Sequence, residues 1–392
     1  MIVFLYFLIG LSFFDMFSQL PIMSTFAQSL GASVSLIGFI VAAYSFSNLF
    51  SNIFSGHFVD KNGPKIVLVI GFFVTGALLF TYSFITSPIL LLIVRLLHGI
   101  SAGLLVPAAF TYVSILNKKK KNGKAMAFSG AAVGFSAVFG PAFGGIVSQR
   151  ISTGAVFNTI GFLMIIAGIL SLIILKPQNV EKTDDEESEE KVTLQDYLQL
   201  LKKPGLLTAY LGAFSLMFSQ GILAYKLPLK TSELQFGDQT SGMLLSIFGI
   251  VAILFFVLPT NRIYDRYRNE IIMAIGMLII ALALVGLSFT SQLSVMYGTM
   301  ALYGIGFALL FPSISSLITI HSGNDRRGKA FGLFYGFFSL GVVFGSSITG
   351  MFGMTTTEAF LTSSVFLTIS SIIALVVVRK SDSIIEKENI TQ

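Results

Sequence analysis

Twelve apolar runs of about 20 residues, each closed by a short polar cluster, set the pattern of this chain. They fall at about 2–27, 33–55, 66–86, 89–115, 127–149, 155–175, 205–228, 241–260, 271–290, 293–320, 329–352 and 358–378. A run of that length crosses the hydrocarbon core of a bilayer as an α-helix. None shows the strict polar–apolar alternation of a membrane strand. The pattern predicts an all-α polytopic membrane protein with twelve transmembrane helices. The first run starts at Ile2 with no basic segment before it and no small-residue cleavage site after it, so it reads as a membrane helix rather than a removable signal.

Composition supports that class, with 54% hydrophobic and 11% charged residues, where a soluble domain carries about a quarter charged. Cysteine is absent, which excludes a disulfide framework, a thiolate metal site and a cysteine nucleophile. The net charge of +6 is carried in loops between runs and is not a nucleic-acid signal. Loops after spans 2, 4, 6, 8 and 10 hold most of it, including Lys118 to Lys121, Lys202, Lys203, Arg262, Arg326 and Arg327. The opposite loops hold Arg150, with Lys226 and Lys230 at a helix end. The positive-inside rule then places both termini in the cytoplasm of a cell-membrane protein.

Two halves emerge from a constant shift of 205 residues, which brings Gly99 onto Gly304, Pro107 onto Pro312, Gly140 onto Gly345 and Asp60 onto Asp265. Chance apolar similarity does not keep Gly, Pro and Asp in register. The expected organisation is a six-helix bundle at 1–176, a cytoplasmic linker at 177–204, a second six-helix bundle at 205–378 and a cytoplasmic tail at 379–392. Parallel repeats of this kind bind substrate between the halves. The linker carries the acidic run from Asp184 to Glu190, which reads as a solvated spacer. After it, Leu194, Tyr197, Leu198 and Leu201 have the spacing of a short helix on the membrane surface.

Three motifs then carry a resemblance. Gly56-x-x-x-Asp60-Lys61-x-Gly63-x-Lys65 between spans 2 and 3 resembles the signature loop of the major facilitator superfamily. Arg95-x-x-His98-Gly99 in span 4 resembles the second motif of its proton-coupled drug antiporters. Gly140-Pro141-x-x-Gly144-Gly145 in span 5 resembles the tail of the antiporter motif. Departures are Pro64 at a usually basic position, Ala127 and Ser136 where the long motif has Gly, and a single proline, Pro21, in span 1. The resemblance implies the major facilitator fold and the twelve-span drug:proton antiporter branch. It also implies that the loop latches the outward-open state through Asp60, facing the span 11 end, and that Arg95 serves proton transfer.

The residues themselves support a mechanism. Asp15 lies about halfway along span 1, where an ionised carboxylate is costly unless it pairs, faces a cavity or takes a proton. It reads as a proton or substrate group, the alternative being a buried hydrogen bond that ties span 1 to a neighbour. Arg95 and His98 share a face of span 4. Arginine keeps its charge, whereas imidazole ordinarily titrates between about pH 5 and 8. Gly56 allows a close approach, Gly63 and Pro64 make a turn over Gly56 to Lys65, and Lys61 and Lys65 sit among headgroups. Asp265 repeats Asp60 without the glycine pair. In span 5, Pro141 bends the helix and the glycines let it pack closely on a neighbour at the outer side. Tyr44, Asn48, Gln220, Tyr225 and Tyr303 are the cavity candidates, and the Ser45, Ser47, Asn48, Ser51, Asn52 stripe is expected to face the cavity or span 11.

No phosphate-binding loop, metal-ligand cluster or nucleophile–base set stands out, so neither an enzyme nor a cofactor is expected. The function expected is proton-coupled export of drug-like or lipophilic small molecules by alternating access, as a monomer, with substrate, protons and membrane lipid as partners. Export of a metallophore or siderophore, nutrient import on the same fold, and a non-transporting scaffold or sensor are the alternatives.

Overall fold

The computed structural model describes residues 1–116, 123–177, 194–257, 263–322 and 327–390, and every regular element among them is helical. In chain order these are α1 (Ile2–Ser18), α2 (Met23–Ser29), α3 (Val34–Asn62), α4 (Pro64–Thr81), a short 3-10 turn (Tyr82–Phe84), α5 (Pro88–Gly103), α6 (Leu105–Leu116), α7 (Gly123–Arg150) and α8 (Thr153–Ile174). There follow α9 (Leu194–Leu201), α10 (Pro204–Glu233), α11 (Gly237–Val257), α12 (Ile263–Arg266), α13 (Asn269–Phe289), α14 (Leu293–Ser322), α15 (Arg327–Met351) and α16 (Thr356–Ile390). Eleven stretches, α5 and α6 taken as one, are long and apolar enough to cross a membrane, and the bent pair α1–α2 makes a twelfth. The all-α polytopic class expected from the apolar pattern is therefore the observed one.

Local departures from the expected spans have local causes. Span 1 is not one helix over 2–27, because the chain breaks after Ser18 and α2 leaves at 46°. Pro21 has no amide hydrogen and disfavours helical geometry at the residue before it. The break is closed by tight bonds from Leu20 N to Phe17 O and from Ile22 N to Gln19 O. Span 4 is interrupted at Leu104, one turn ahead of Pro107, whereas the repeat-related Pro312 lies within an unbroken α14.

The expected turn over Gly56 to Lys65 is a correction. Helix α3 continues through Asn62, and the reversal is confined to Gly63, with φ 79° and ψ 152°. That backbone region is essentially reserved for glycine. Pro64 follows at the first position of α4, where its missing amide hydrogen costs nothing. A single glycine at Gly56 costs a helix only about 1 kcal/mol, too little to stop α3. Likewise α16 runs on to Ile390 through the segment expected as a tail, which contains neither Gly nor Pro.

Helix starts carry their own stops. Ser33, Ser87 and Ser152 accept from Leu36 N, Leu90 N and Ala155 N at the heads of α3, α5 and α8. Thr355 and Glu358 form a reciprocal capping box at the head of α16.

The chain clusters into two compact units. One comprises Met1–Ser188, Ala224–Gly249 and Ser346–Gly353; the other comprises Glu189–Leu223, Ile250–Gly345 and Met354–Gln392. In the first, α3 packs on α5, α4 on α8 and α1 on α7, around Leu5, Leu8, Ile9, Phe72, Tyr112 and Phe157. Along α3, Asn48, Ser51 and Ser55 donate to the carbonyls of Gly99, Ile100 and Leu104. In the second unit α13 packs on α14 and α16, with Ser371 donating to Ala274 O across that seam. Among the described residues, the buried charged side chains all lie in the first unit. Phe46, Phe50, Phe54, Ile369 and Ile372 remain exposed, as lipid-facing positions of spans do.

Candidate functional site

Helix α1 ends at Ser18, so Gln19 is its C-cap residue and sits one turn beyond Asp15. Its side chain therefore folds back over the helix end, and Nε2 donates to Asp15 Oδ1 at 2.7 Å and to Asp15 O at 3.1 Å. The other end of the same amide, Oε1, accepts from Arg95 NH1 at 2.6 Å. Gln19 thus joins the carboxylate of α1 to the guanidinium of α5 without direct contact between the charges. Both bonds have the short lengths of charge-assisted hydrogen bonds.

The rest of Arg95 is also occupied. Nε donates to Ile40 O at 3.3 Å, NH2 lies 3.5 Å from Val41 O, and the guanidinium carbon sits 4.9 Å from the Tyr44 ring centre. One turn along α5, His98 Nε2 lies 3.0 Å from Asp15 Oδ2, and Nδ1 lies 3.1 Å from the Tyr82 hydroxyl. Tyr44 meets the His98 ring edge-on at 5.2 Å, and Tyr82 stacks on Phe157 at 4.0 Å. Asp15 and His98 are both fully buried. The result is a continuous chain, Arg95–Gln19–Asp15–His98–Tyr82, contributed by α1, α5 and the turn after α4.

Chemically, this chain holds one permanent cation and three titratable groups, Asp15, His98 and Tyr82, out of water. A buried carboxylate is tolerated only if each oxygen has a partner, and here each has one. Two states of the Asp15–His98 pair differ by one proton. With Asp15 ionised, Nε2–H donates to it and Nδ1 accepts from Tyr82. With Asp15 protonated, its O–H donates to Nε2 and Nδ1–H donates to the Tyr82 oxygen. Asp15 and His98 stay hydrogen-bonded in both, while in the second the Tyr82 hydroxyl proton turns from Nδ1 to another acceptor.

A second polar cluster lies where α7, α2 and α11 meet, inside the same unit. Asp238 in the first turn of α11 accepts from Thr25 Oγ1 at 3.0 Å and from Ser148 Oγ at 2.8 Å. Gln149 Oε1 accepts from Gln239 N at 2.8 Å. The glycines of the span 5 motif create these approaches. A methyl on Gly144 would collide with the Ser18 carbonyl, and one on Gly145 with the Asp238 carbonyl. Gly140 lies on Phe17 in the same way, while buried Pro141 presents its carbonyl to Gly242.

The other sequence-derived residues are more dispersed. Lys61 is exposed, and Lys65 Nζ donates to Leu172 O at 2.9 Å. Gly56 lies within α3; its surroundings, the side chains of Asp60 and Asp265, and the acidic run of the linker lie outside the described residues. Tyr44 and Asn48 are committed to Arg95, His98 and Gly99 as above. Tyr225 donates to Val34 O at 2.6 Å, Tyr303 bonds Ser219 at 2.7 Å, and Gln220 is half-buried. Among the described residues no group of three His, Cys, Asp or Glu is arranged to hold a metal.

Gln19, Tyr82 and Asp238 were not singled out by sequence. Gln19 carried a usable signal, four residues after an intramembrane acid and therefore on its face. Tyr82 carried none, being one of 12 tyrosines at the end of an apolar run.

Comparison with known proteins agrees with the fold. The model of the Major Facilitator Superfamily matches residues 5–237 and 209–390. An uncharacterized MFS-type transporter of Methanocaldococcus jannaschii is 26% identical over 327 residues, 83% of this chain and 84% of that protein. Multidrug resistance protein 2 of Bacillus subtilis is 26% identical over 340 residues, 85% of this chain and 83% of that one. Quinolone resistance protein NorA of Staphylococcus aureus is 22% identical over 390 residues, 98% of each. Among solved structures, a bacterial homolog of the human lysosomal transporter Spinster superposes with a TM-score of 0.79 at 14% identity, covering 96% of each chain.

Proposed function

From the premise that the chain belongs to the Major Facilitator Superfamily, as a multi-pass membrane transporter of small molecules and not an enzyme, we propose that it exports drug-like or lipophilic compounds in exchange for protons. The observation that carries the reading is the buried Asp15–His98 pair at 3.0 Å, tied through Gln19 to Arg95. A carboxylate at that depth costs several kcal/mol unless it is paired, hydrated or protonated, and intramembrane acids of this kind mark proton relays in transporters. Relatives whose names record multidrug and quinolone resistance support the exporter direction and the substrate class.

Each cycle then has two halves. A proton taken up at Asp15–His98 neutralises the carboxylate and leaves the Arg95 charge without its counter-ion. That change in charge favours a different arrangement of the spans and release of substrate outside. Proton loss to the cytoplasm restores the ion pair. Glycine-lined α7 is the helix along which α1 and α11 shift, and the α3 end at Asp60, ahead of the Gly63 reversal, holds one of the two states. Arg95 has four partners of its own, so an anionic cargo such as a metallophore must compete with Gln19 and two carbonyls for it. A lipophilic cation meets no such competition.

The test is ethidium uptake into inverted membrane vesicles with an acid interior. Protonophore-sensitive accumulation is expected from the wild type and not from empty-vector vesicles. Equal accumulation in both would remove the exporter reading.

A further inference from the structure

A cavity of about 350 Å³ opens beside the far end of the proton-carrying chain. It is lined by Phe26, Tyr82, Ser83, Ile85, Ala155 and Asn158, with Ser152 and Gly154 at its rim. Its mouth is polar and exposed: Ser83 donates to Asn158 Oδ1 at 2.9 Å, and both side chains face solvent. Its inner wall is Tyr82, only 1% exposed, whose hydroxyl is the partner of His98 Nδ1. At about 30 Å³ per molecule the space holds on the order of ten waters. It belongs to the loops after spans 3 and 5, on the face that the charge pattern assigns to the outside.

We propose that this cavity is the route by which protons reach Asp15 from outside, with Tyr82 as the relay between cavity water and His98. The inference rests on the reading of Asp15 and His98 as the proton-carrying pair. It adds that protons enter through the side of one helix bundle, apart from the path the substrate takes.

The transfer balances in one pass. A proton from cavity water joins the Tyr82 oxygen as the original hydroxyl proton moves to His98 Nδ1. The proton on Nε2 moves to Asp15 Oδ2. Tyr82 ends as a neutral phenol, His98 as the other neutral tautomer and Asp15 as a neutral acid. Tyrosine suits the position because its hydroxyl both donates and accepts. The titratable or charged groups facing His98 are Asp15 from α1, Tyr44 from α3, Tyr82 from the turn after α4, and Arg95 from its own helix. The one permanent charge among them, Arg95, bonds Gln19 and also lies beside the Tyr82 hydroxyl; it cannot give up its proton, so the imidazole carries the transfer.

The chain contains no cysteine, so Ala155→Cys places a single thiol in the cavity wall. Intact cells carrying it are treated with a bulky, membrane-impermeant methanethiosulfonate, and inverted vesicles are then prepared. Two ethidium fluxes are compared with and without label: uptake driven by an acid interior, and ethidium-for-ethidium exchange at equal pH. Labelling is expected to lower gradient-driven uptake by about tenfold or more while exchange persists. Tyr82→Phe, which keeps the wall and removes the hydroxyl, is expected to lower gradient-driven uptake to a similar degree. Failure of the thiol to react from outside overturns the proposal. So does labelling that spares both fluxes or removes both equally, or a Tyr82→Phe variant that accumulates ethidium at the wild-type rate. If the unmodified wild type shows no gradient-driven uptake, the coupling reading falls first and this inference with it, so the two failures are told apart.

Discussion

Asp15 and His98 meet at 3.0 Å across α1 and α5, each fully buried and each with a second hydrogen-bond partner. Their separation in sequence is 83 residues, and nothing but the packing of two spans brings them together. The pair can gain a proton while Asp15 and His98 stay bonded to each other and His98 to Tyr82. The predictions below start from it.

His98→Gln keeps a polar side chain beside Asp15 but removes the basic nitrogen. Gradient-driven ethidium uptake should fall by about tenfold or more, because no basic nitrogen then passes the proton from Tyr82 to Asp15. Uptake rates in inverted vesicles with an acid interior check this. A rate equal to wild type would show that the proton reaches Asp15 without His98.

Gln19→Leu removes the amide that links the two charges. Arg95 and Asp15 each lose their shortest bond inside the protein. Breaking a buried pair in this way costs about 3–5 kcal/mol, so the detergent-solubilised variant should melt well below wild type. Thermal unfolding followed by circular dichroism measures it. Gln19→Glu, which supplies Arg95 with a direct counter-ion, should recover much of the stability while altering the pH profile, because a second carboxyl then adjoins Asp15.

Gly63→Ala tests the hinge between α3 and α4. The backbone there, at φ 79° and ψ 152°, is strained for any side chain by about 1–3 kcal/mol. Lower thermal stability is expected, whereas Gly56→Ala leaves the α3 backbone conformation intact and should be milder or neutral in stability. Equal effects at both positions would contradict a reversal confined to Gly63.

Asp238→Ala leaves the Thr25 and Ser148 hydroxyls without their carboxylate acceptor. Each lost bond to a charged group is worth about 1.5–3 kcal/mol. Looser packing of α11 on α7 should appear as faster hydrogen exchange in residues 237–249, read by mass spectrometry. Unchanged exchange there would show that the glycine contacts alone hold these helices.

Much of this was legible in the sequence because a membrane makes charge conspicuous. Asp15, Arg95 and His98 stood out as polar groups in apolar runs, and the cost of placing them there pointed to a partner before any partner was visible. The glycines of α7 were legible for a related reason, since small residues in a span mark close helix approach. The partners were harder. Gln19 and Tyr82 are ordinary polar residues near span ends, and their roles follow from the break at Pro21 and the turn after α4, which periodicity does not reveal. The Gly56 to Lys65 stretch was read as a turn because its composition is turn-like, yet only Gly63 needs glycine geometry. The partners of the α3 stripe were not legible either: Asn48 and Ser51 donate to carbonyls of α5, a contact that polar periodicity alone does not specify.

The most direct test asks whether Asp15 itself takes up the proton. Infrared difference spectra of the purified protein across a pH titration resolve the stretch of a protonated buried carboxyl. The expected result is a band that grows as pH falls, is absent in Asp15→Asn and shifts its midpoint in His98→Gln. A band that persists unchanged in Asp15→Asn would show that the proton resides on another carboxyl, and the coupling scheme built on this pair would be wrong.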